Sequence, residues 1–263
     1  MYELKDITNQ IYHGDCLEIM PQFPDNCIDM ILCDLPYGTT SCKWDVIIPF
    51  ELLWKQYKRV IKDNGAIVLT ASQPFTSALI VSNIKMFKYE LIWEKSNPSN
   101  IGLANKQPLK YHENICVFYN NQPIYNKQMI ERDELGKKRI LAGKKTGVTF
   151  KMSPTEHQNI NRQTIEYCPD RYDIETKNPS SVIKIKVNRG KFHPTQKPVD
   201  LCEYLIKTYT NEGDLILDNC AGSGTTAIAA INTNRNHILI EKELKYFDIA
   251  SQRISKHTKE THQ

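Results

Sequence analysis

Over the first 120 residues, apolar positions fall into short runs separated by helically spaced stretches. Gln10 to Tyr12 predicts a short strand before a Gly-Asp turn. Ile28 to Cys33 is an apolar run ending at Asp34, the pattern of a strand buried on both faces. Cys16 to Pro24 has helical spacing through Leu17, Met20 and Phe23. Phe50 to Ile61 predicts a helix with Leu52, Leu53, Trp54, Tyr57 and Val60 on one side, closed by a turn at Asp63-Asn64-Gly65. Ala66 to Thr70, Tyr89 to Trp93 and Asn114 to Tyr119 read as strands, and Phe75 to Met86 as a helix. From Asn121 to about Arg189 the periodicity weakens, and Lys, Asn, Gln, Thr and Pro dominate. Order returns with helices at Val199 to Tyr209 (Leu201, Leu205 and Ile206 inward), Thr225 to Asn232 and Tyr246 to Ser255. Strands at Asp214 to Asp218 and His237 to Ile240 lie between them. This alternation predicts an α/β sheet with helices on both faces, interrupted by an insertion.

Composition narrows the class. At 263 residues with 40% apolar and 24% charged positions, the chain is long enough for a real core and is neither disordered nor fibrous. No apolar run approaches the roughly 20 residues of a membrane span. The polar opening MYELKDITNQ has no signal-peptide pattern. Eight cysteines, at positions 16, 27, 33, 42, 116, 168, 202 and 220, include no C-x-x-C pair and read as reduced thiols of a cytoplasmic protein. The net charge of +4 is unevenly spread. Residues 121–191 hold 15 basic and 8 acidic side chains, or +7; the remaining 19 basic and 22 acidic residues leave the rest at −3. Such a segment either meets a polyanion or is a solvated lysine-rich loop.

Two segments carry candidate chemistry. Asp218-Asn219-Cys220-Ala221-Gly222-Ser223-Gly224-Thr225-Thr226 joins a predicted strand to an alanine-rich helix. Glycines there let a nucleotide-like ligand approach the backbone closely. The segment is neither a P-loop nor a full dinucleotide fingerprint. The next strand ends at Glu241, placed to accept hydrogen bonds from ribose hydroxyls. Together they point to an adenosine-containing cofactor; the alternative is a capping glycine pair beside a surface glutamate. The second segment, Asp34-Leu35-Pro36-Tyr37-Gly38, sits at the carboxyl end of the buried strand, where open α/β sheets bind ligands. A nucleobase amine is a poor nucleophile because its lone pair is delocalised into the ring. The Asp34 carboxylate and a carbonyl at Leu35, aimed by Pro36, suit the two N–H groups of such an amine, and Tyr37 suits stacking on the base.

In this order the motifs resemble an amino-group DNA methyltransferase of the β arrangement. The family's catalytic D-P-P-Y motif comes first and its S-adenosylmethionine motif last, a circularly permuted order matched by Asp34-Leu35-Pro36-Tyr37 and Ala221-Gly222-Ser223-Gly224-Thr225-Thr226. His13-Gly14-Asp15-Cys16-Leu17 resembles the family's early cofactor turn, and Ala71-Ser72-Gln73-Pro74-Phe75 the segment after the next strand. Trp93-Glu94-Lys95 and His112-Glu113 resemble framework motifs. His193-Pro194-Thr195-Gln196-Lys197-Pro198 resembles a segment beside the cofactor, and Glu241 with Tyr246 and Arg253 the ribose-binding segment. Two departures stand out: Leu35 for the first proline, and Cys220 where the family usually carries phenylalanine.

The resemblance implies a Rossmann-like, S-adenosylmethionine-dependent methyltransferase sheet. Residues 1–120 form its catalytic half, 121–191 a basic target-recognition insertion and 192–263 its cofactor half. Catalytic residues would be Asp34, Leu35, Pro36 and Tyr37. Cofactor residues would be Asp15, Cys16, His193, Lys197, Asp218, Cys220, Ala221, Gly222, Ser223, Gly224, Thr225 and Glu241. Arg132, Lys137, Lys138, Arg139, Lys144, Lys145 and Arg162 are candidates for DNA phosphate. Gln128, Gln158, Asn159, Asn161, Arg162 and Gln163 are candidates for base edges. Lys43 and Trp44 could touch DNA near a flipped base, with core burial the alternative for Trp44. The expected reaction is N6-methylation of adenine in duplex DNA by base flipping, without a metal. The opening acid favours adenine over cytosine-N4. An RNA or protein methyltransferase, or a non-catalytic nucleic-acid-binding protein, are the other readings. Double-stranded DNA is the expected partner, a homodimer and a restriction endonuclease are candidate ones, and no membrane is expected.

Overall fold

The computed structural model describes residues 3–40, 42, 44–146, 150–152, 165–167, 173–187 and 196–261. Lys43, Arg162 and His193, with Gln158, Asn159, Asn161 and Gln163, lie outside the described residues, as does the side chain of Lys145. The chain forms two compact units: Met1–Asn126 with Ser181–Gln263, and Lys127–Ser180.

The first unit begins with α1 (Leu4–Ile7), β1 (Gln10–His13), α2 (Cys16–Ile19), β2 (Ile28–Asp34), α3 (Phe50–Val60), β3 (Ile61–Ala71), α4 (Phe75–Ser82), β4 (Phe87–Glu94) and β5 (His112–Phe118). The second unit holds β6 (Ile130–Glu131), α5 (Glu134–Thr146), β7 (Phe150–Met152), β8 (Ile165–Tyr167) and β9 (Thr176–Lys177). There β6 pairs antiparallel with β9, and β7 with β8. The first unit then resumes with β10 (Val182–Lys184), α6 (Val199–Tyr209), β11 (Leu215–Asp218), α7 (Thr225–Asn232), β12 (Asn236–Glu241) and α8 (Leu244–Thr261).

Eight strands make one mixed sheet in the order β1-β12-β11-β2-β3-β5-β4-β10. The run from β1 to β3 is parallel, and β5 lies antiparallel between β3 and β4. Side chains of β2, β3, β11 and β12 alternate between two apolar layers. Ile28, Ile31, Cys33, Leu217 and Ile240 face Tyr57, Leu53 and Phe23. Met30, Leu32, Ile216 and Val68 face Leu201, Leu205, Ile206 and Ala229 on the other side. The apolar strand runs of the sequence are what a sheet covered on both faces requires.

Several expectations shift in detail. Leu52 is 49% exposed, because the buried stripe of α3 runs through Leu53, Trp54, Tyr57 and Val60, and Leu52 falls about 100° off it. Asp63-Asn64-Gly65 does not end a separate element but lies within β3, in a register shift where Ile28 pairs with Ile61 and Met30 with Ala66. A Cβ on Gly65 would sit 2.8 Å from the Asp29 carbonyl oxygen, so glycine alone fits there. Asn83 leaves the helical region and ends α4 four residues before Phe87, so buried Met86 belongs to the connection, not the helix. None of the described helices is long and apolar enough to cross a membrane.

Candidate active site

β2 and β11 are parallel neighbours, but the chain leaves β2 toward β3 on one side and β11 toward β12 on the other. This reversal opens a crevice at the carboxyl ends of the two strands, the place where doubly wound sheets bind ligands. A cavity of about 840 Å³ lies there, within the size range of cofactor sites. Its wall includes Asp34 and Tyr37 from the turn after β2, Asp15, Cys220 and Gly222, and Glu241 at the tip of β12. Both motifs, far apart in sequence, thus share one cavity.

Asp34 is held from several directions. Its Oδ1 accepts from the Tyr37 hydroxyl at 2.7 Å and from the Thr70 hydroxyl. Its Oδ2 lies 2.7 Å from Lys197 Nζ. That ammonium is also 3.2 Å from Glu113 Oε2, an ion pair without hydrogen-bond alignment, and Glu113 Oε1 accepts from Lys95 Nζ at 2.8 Å. Two ammoniums and two carboxylates therefore form one half-buried chain of alternating charge. Burial alone would lower the Lys197 pKa, yet Asp34, Tyr37 and Glu113 together drive it well above the usual lysine value. Burial likewise works against the Glu113 carboxylate, but Lys197 and Lys95 hold it below the ordinary range. The Tyr37 ring stacks on Phe75 at 5.2 Å and 28°, with Lys197 Nζ 5.7 Å from its centroid. Burial, then the Asp34 charge, pushes its phenol pKa up, so it is a hydrogen-bond donor here.

The cofactor half is built around backbone N–H groups. Gly222 and Gly224 have φ of +53° and +75°, values that β-carbon-bearing residues rarely adopt. Gly224 caps α7, and a Cβ on it would press to 3.1 Å on Ala250 of α8. Glu241 Oε2 accepts from the Gly222 N–H at 2.7 Å, and Oε1 from the Glu243 N–H at 2.8 Å, so the carboxylate ties the turn to the tip of β12. Burial raises its pKa. Asp218 accepts from Thr226 Oγ1 at 2.6 Å and the Cys220 N–H at 3.1 Å, and burial pushes its pKa up to about 6. Arg253 Nη1 reaches the Ser223 carbonyl at 3.0 Å and Thr225 Oγ1 at 3.1 Å. Asp15 accepts from the Leu17 N–H at 2.9 Å and from Lys242 Nζ at 2.9 Å. Ala221 is buried against Leu239. Backbone without a β-carbon at Gly222 and Gly224, with a carboxylate at the next strand tip, fits an adenosine-type group. Among the described residues no cluster of three or more His, Cys, Asp or Glu is arranged to hold a metal ion.

Lys197, grouped in the sequence with the cofactor segment, places its ammonium on Asp34 in the wall of the shared cavity. Trp44 is half-buried and lines the cavity. Leu35 is buried in the core cluster and also lines the cavity. In the second unit, Arg132 and Lys137 are engaged internally: Arg132 Nη2 donates to the Thr176 carbonyl at 2.7 Å, and Lys137 Nζ is 2.6 Å from Glu175. Lys138 and Arg139 are exposed on α5, and Lys144 is half-buried. Residues that sequence reasoning did not single out complete the site. Thr70 donates to Asp34. Asp45 accepts from the N–H groups of Gly38, Thr39 and Thr40 at 2.7–2.9 Å and so fixes the loop after Tyr37. Tyr57 donates to Asn219 at 2.5 Å. Only the Asp45 clamp had a local signal, a carboxylate a few residues past a glycine turn.

A sequence model of the N6/N4 DNA methylase family matches residues 28–252, which takes in both motifs and most of the sheet. The chain belongs to that DNA methylase family. It is 28% identical over 278 residues to the type II methyltransferase M2.MboI of Moraxella bovis, covering 96% of this chain and 89% of that one. It is 26% identical over 284 residues to the type II methyltransferase M.HinfI of Haemophilus influenzae, covering 95% and 69%. Among solved structures, the M1.HpyAVI–SAM complex superposes with a TM-score of 0.60 at 25% identity, covering 93% of this chain and 98% of that one. The cytosine-N4-specific PvuII DNA methyltransferase shares the fold, with a TM-score of 0.64 at 16% identity over 96% and 90% of the two chains.

Proposed function

We propose that this protein is a site-specific methyltransferase that moves the methyl group of S-adenosylmethionine to the N6 amine of adenine in duplex DNA. The observation that carries the reading is the single cavity shared by Asp34 and the Gly222–Glu241 pair, in a chain of the DNA methylase family. S-adenosylmethionine, when bound, supplies an already activated methyl group, so the protein's task is alignment. The glycine turn, Glu241 and Asp15 would hold it.

A carboxylate has about four lone-pair sites. Tyr37, Thr70 and Lys197 take three of those on Asp34, which leaves about one, on Oδ2, for an N–H of the incoming amine. A base amine seated there, with its second N–H on the Leu35 carbonyl, has its nitrogen lone pair turned out of the ring plane. The amine is unreachable inside the duplex, so the adenine must rotate out of the stack into the cavity. An aspartate opening the motif supports adenine over cytosine as the target. The basic unit Lys127–Ser180 is read as the DNA-recognition part, on its sequence charge and its exposed Lys138 and Arg139.

Long-read sequencing of DNA from cells expressing the chain tests this. N6-methyladenine at one short recurring sequence, lost with Asp34→Ala, is the expected result. N4-methylcytosine would assign the other amine, and unmodified DNA would overturn the reading.

A further inference from the structure

Asp34 is one end of a line of alternating charges whose far members, Glu113 and Lys95, are assigned to neither base nor cofactor. Glu113 lies on β5 and Lys95 just past β4, on neighbouring antiparallel strands. The Lys95 N–H donates to the Tyr111 carbonyl at 2.7 Å, which fixes the backbone there. Lys95 Nζ donates to Glu113 Oε1 at 2.8 Å, Glu113 Oε2 is 3.2 Å from Lys197 Nζ, and Lys197 Nζ is 2.7 Å from Asp34 Oδ2. The side chains of Lys95, Glu113 and Lys197 are 6%, 16% and 11% exposed, so the line is held away from bulk water. All of its members border the cavity. Lys110, close by, has its ammonium on Ser72.

Two features separate Glu113 from a bridge that only stabilises the fold. Its Oε2 is buried and, among the described residues, takes no aligned hydrogen bond, so it acts on Lys197 through its charge. The two ammoniums and two carboxylates also cancel. Without Glu113, Lys95 and Lys197 would outweigh Asp34 beside the place where the base amine reacts. Methyl transfer makes that place more positive. The amine lone pair forms the new N–C bond and the S–C pair stays on sulfur. The amine nitrogen then carries the positive charge until one of its protons passes to Asp34 and on to water. An ammonium 2.7 Å from Asp34 opposes that charge unless a further anion offsets it.

We propose that Glu113 is a positioning residue that shares the Lys197 ammonium with Asp34, so that Asp34 stays fixed in place yet keeps its negative charge for the incoming amine. The proposal rests on reading Asp34 as the acceptor of that amine. Lys95 serves Glu113 in turn, as the cation that keeps a buried carboxylate ionised.

The test compares the full chain with its Glu113→Gln, Glu113→Asp, Lys197→Met and Glu113→Gln/Lys197→Met variants, with circular dichroism as the folding control. Single-turnover methyl transfer from labelled S-adenosylmethionine to duplex DNA reads the chemical step, and its dependence on each reactant reads binding. Acylation by N-hydroxysulfosuccinimide acetate with peptide mapping, without cofactor or DNA, reads how firmly Lys197 is held as an ammonium, because only the neutral amine reacts. Glu113→Gln should lower the rate about 10-fold or more, with apparent affinity for both reactants within about 2-fold. It should also speed acylation of Lys197 about 10-fold. Glu113→Asp, which keeps the charge but shortens the side chain, should lose less than about 3-fold in rate; a brace defined by shape would favour Gln over Asp. In the Lys197→Met background, Glu113→Gln should cost no more than about 2-fold, since its partner is already gone. A wild-type rate in Glu113→Gln, a loss of affinity in place of rate, or an equal loss with and without Lys197 overturns the proposal. If Glu113→Gln does not fold, Glu113→Asp decides, and a loss of about 10-fold there overturns the role of charge. If wild type methylates no DNA, the methyl-transfer reading fails by itself. Lys197 acylation still decides whether Glu113 holds the ammonium, and equal rates in wild type and Glu113→Gln would show that it does not.

Discussion

The Asp34 carboxylate has its hydrogen-bonding capacity nearly filled before any base arrives, and each of its partners has a separable consequence. Asp34→Ala should lower methyl transfer on the order of 10²-fold or more, since a charge-assisted bond to the reacting group is lost. Cofactor affinity, measured by calorimetry, should stay within about 2-fold, because the partners of Asp34 are Tyr37, Thr70 and Lys197, not the glycine turn or Glu241. Turnover near wild type would remove Asp34 from the chemistry. Lys197→Met should follow the same split, with kcat down about 10-fold or more and cofactor affinity nearly unchanged. The double variant should be far from additive, because both belong to one ion-pair chain. A Lys197 variant that loses cofactor affinity instead would return that residue to the cofactor segment. Glu241→Ala should do the opposite of Asp34→Ala. It removes a charged acceptor worth about 1.5–3 kcal/mol to a ribose hydroxyl and also frees the Gly222 and Glu243 N–H groups. The Kd for S-adenosylmethionine should rise roughly 10- to 150-fold. Unchanged affinity would take Glu241 out of the site.

The elements divide into those written locally and those written by tertiary contact. α7 runs over the residues its apolar pattern predicts, Thr225–Asn232, and Asp34 and Glu241 sit at strand tips because buried strands announce their own ends. β10 was illegible: three residues with only Ile183 buried, recruited to the sheet edge by β4. The supports of the site were illegible for a different reason. Thr70 lies 36 residues from Asp34, and Tyr57 lies 162 from Asn219, so no local pattern links them. Lys95 and Glu113 were visible as framework motifs, but their ion pair was not. β12 adds a prediction that sequence could not make. Burial pushes His237 down to about 4, and its Nδ1 has no hydrogen-bond partner among the described residues. A depressed histidine pKa gives stability that is present above the unfolded value of 6.5 and is lost as pH falls from there toward about 4. Between pH 7 and pH 5 wild type should therefore lose about 2 kcal/mol more than His237→Leu, at about 1.36 kcal/mol per pKa unit. Urea denaturation of both proteins at the two pH values measures it. Parallel pH dependences would mean that the imidazole is solvated.

For the molecule as a whole, charge is concentrated where the chain departs from the α/β pattern. Because Arg132 and Lys137 are engaged within their unit, Lys138, Arg139 and Lys144 are the better candidates for phosphate. Neutralising these three should flatten the plot of log affinity against log salt on one duplex by about 0.9 per lost contact, with circular dichroism unchanged. A folded variant with the wild-type slope would mean that DNA meets other residues. The central claim, that Asp34 and the glycine turn cooperate on an adenine amine, is tested most directly with methyl-labelled S-adenosylmethionine, duplex DNA and purified protein. The DNA is digested to nucleosides and the labelled product identified. Label in N6-methyldeoxyadenosine, absent with Asp34→Ala in a protein that still binds cofactor, is the predicted result; label in N4-methyldeoxycytidine, or label that persists without the Asp34 carboxylate, would contradict it.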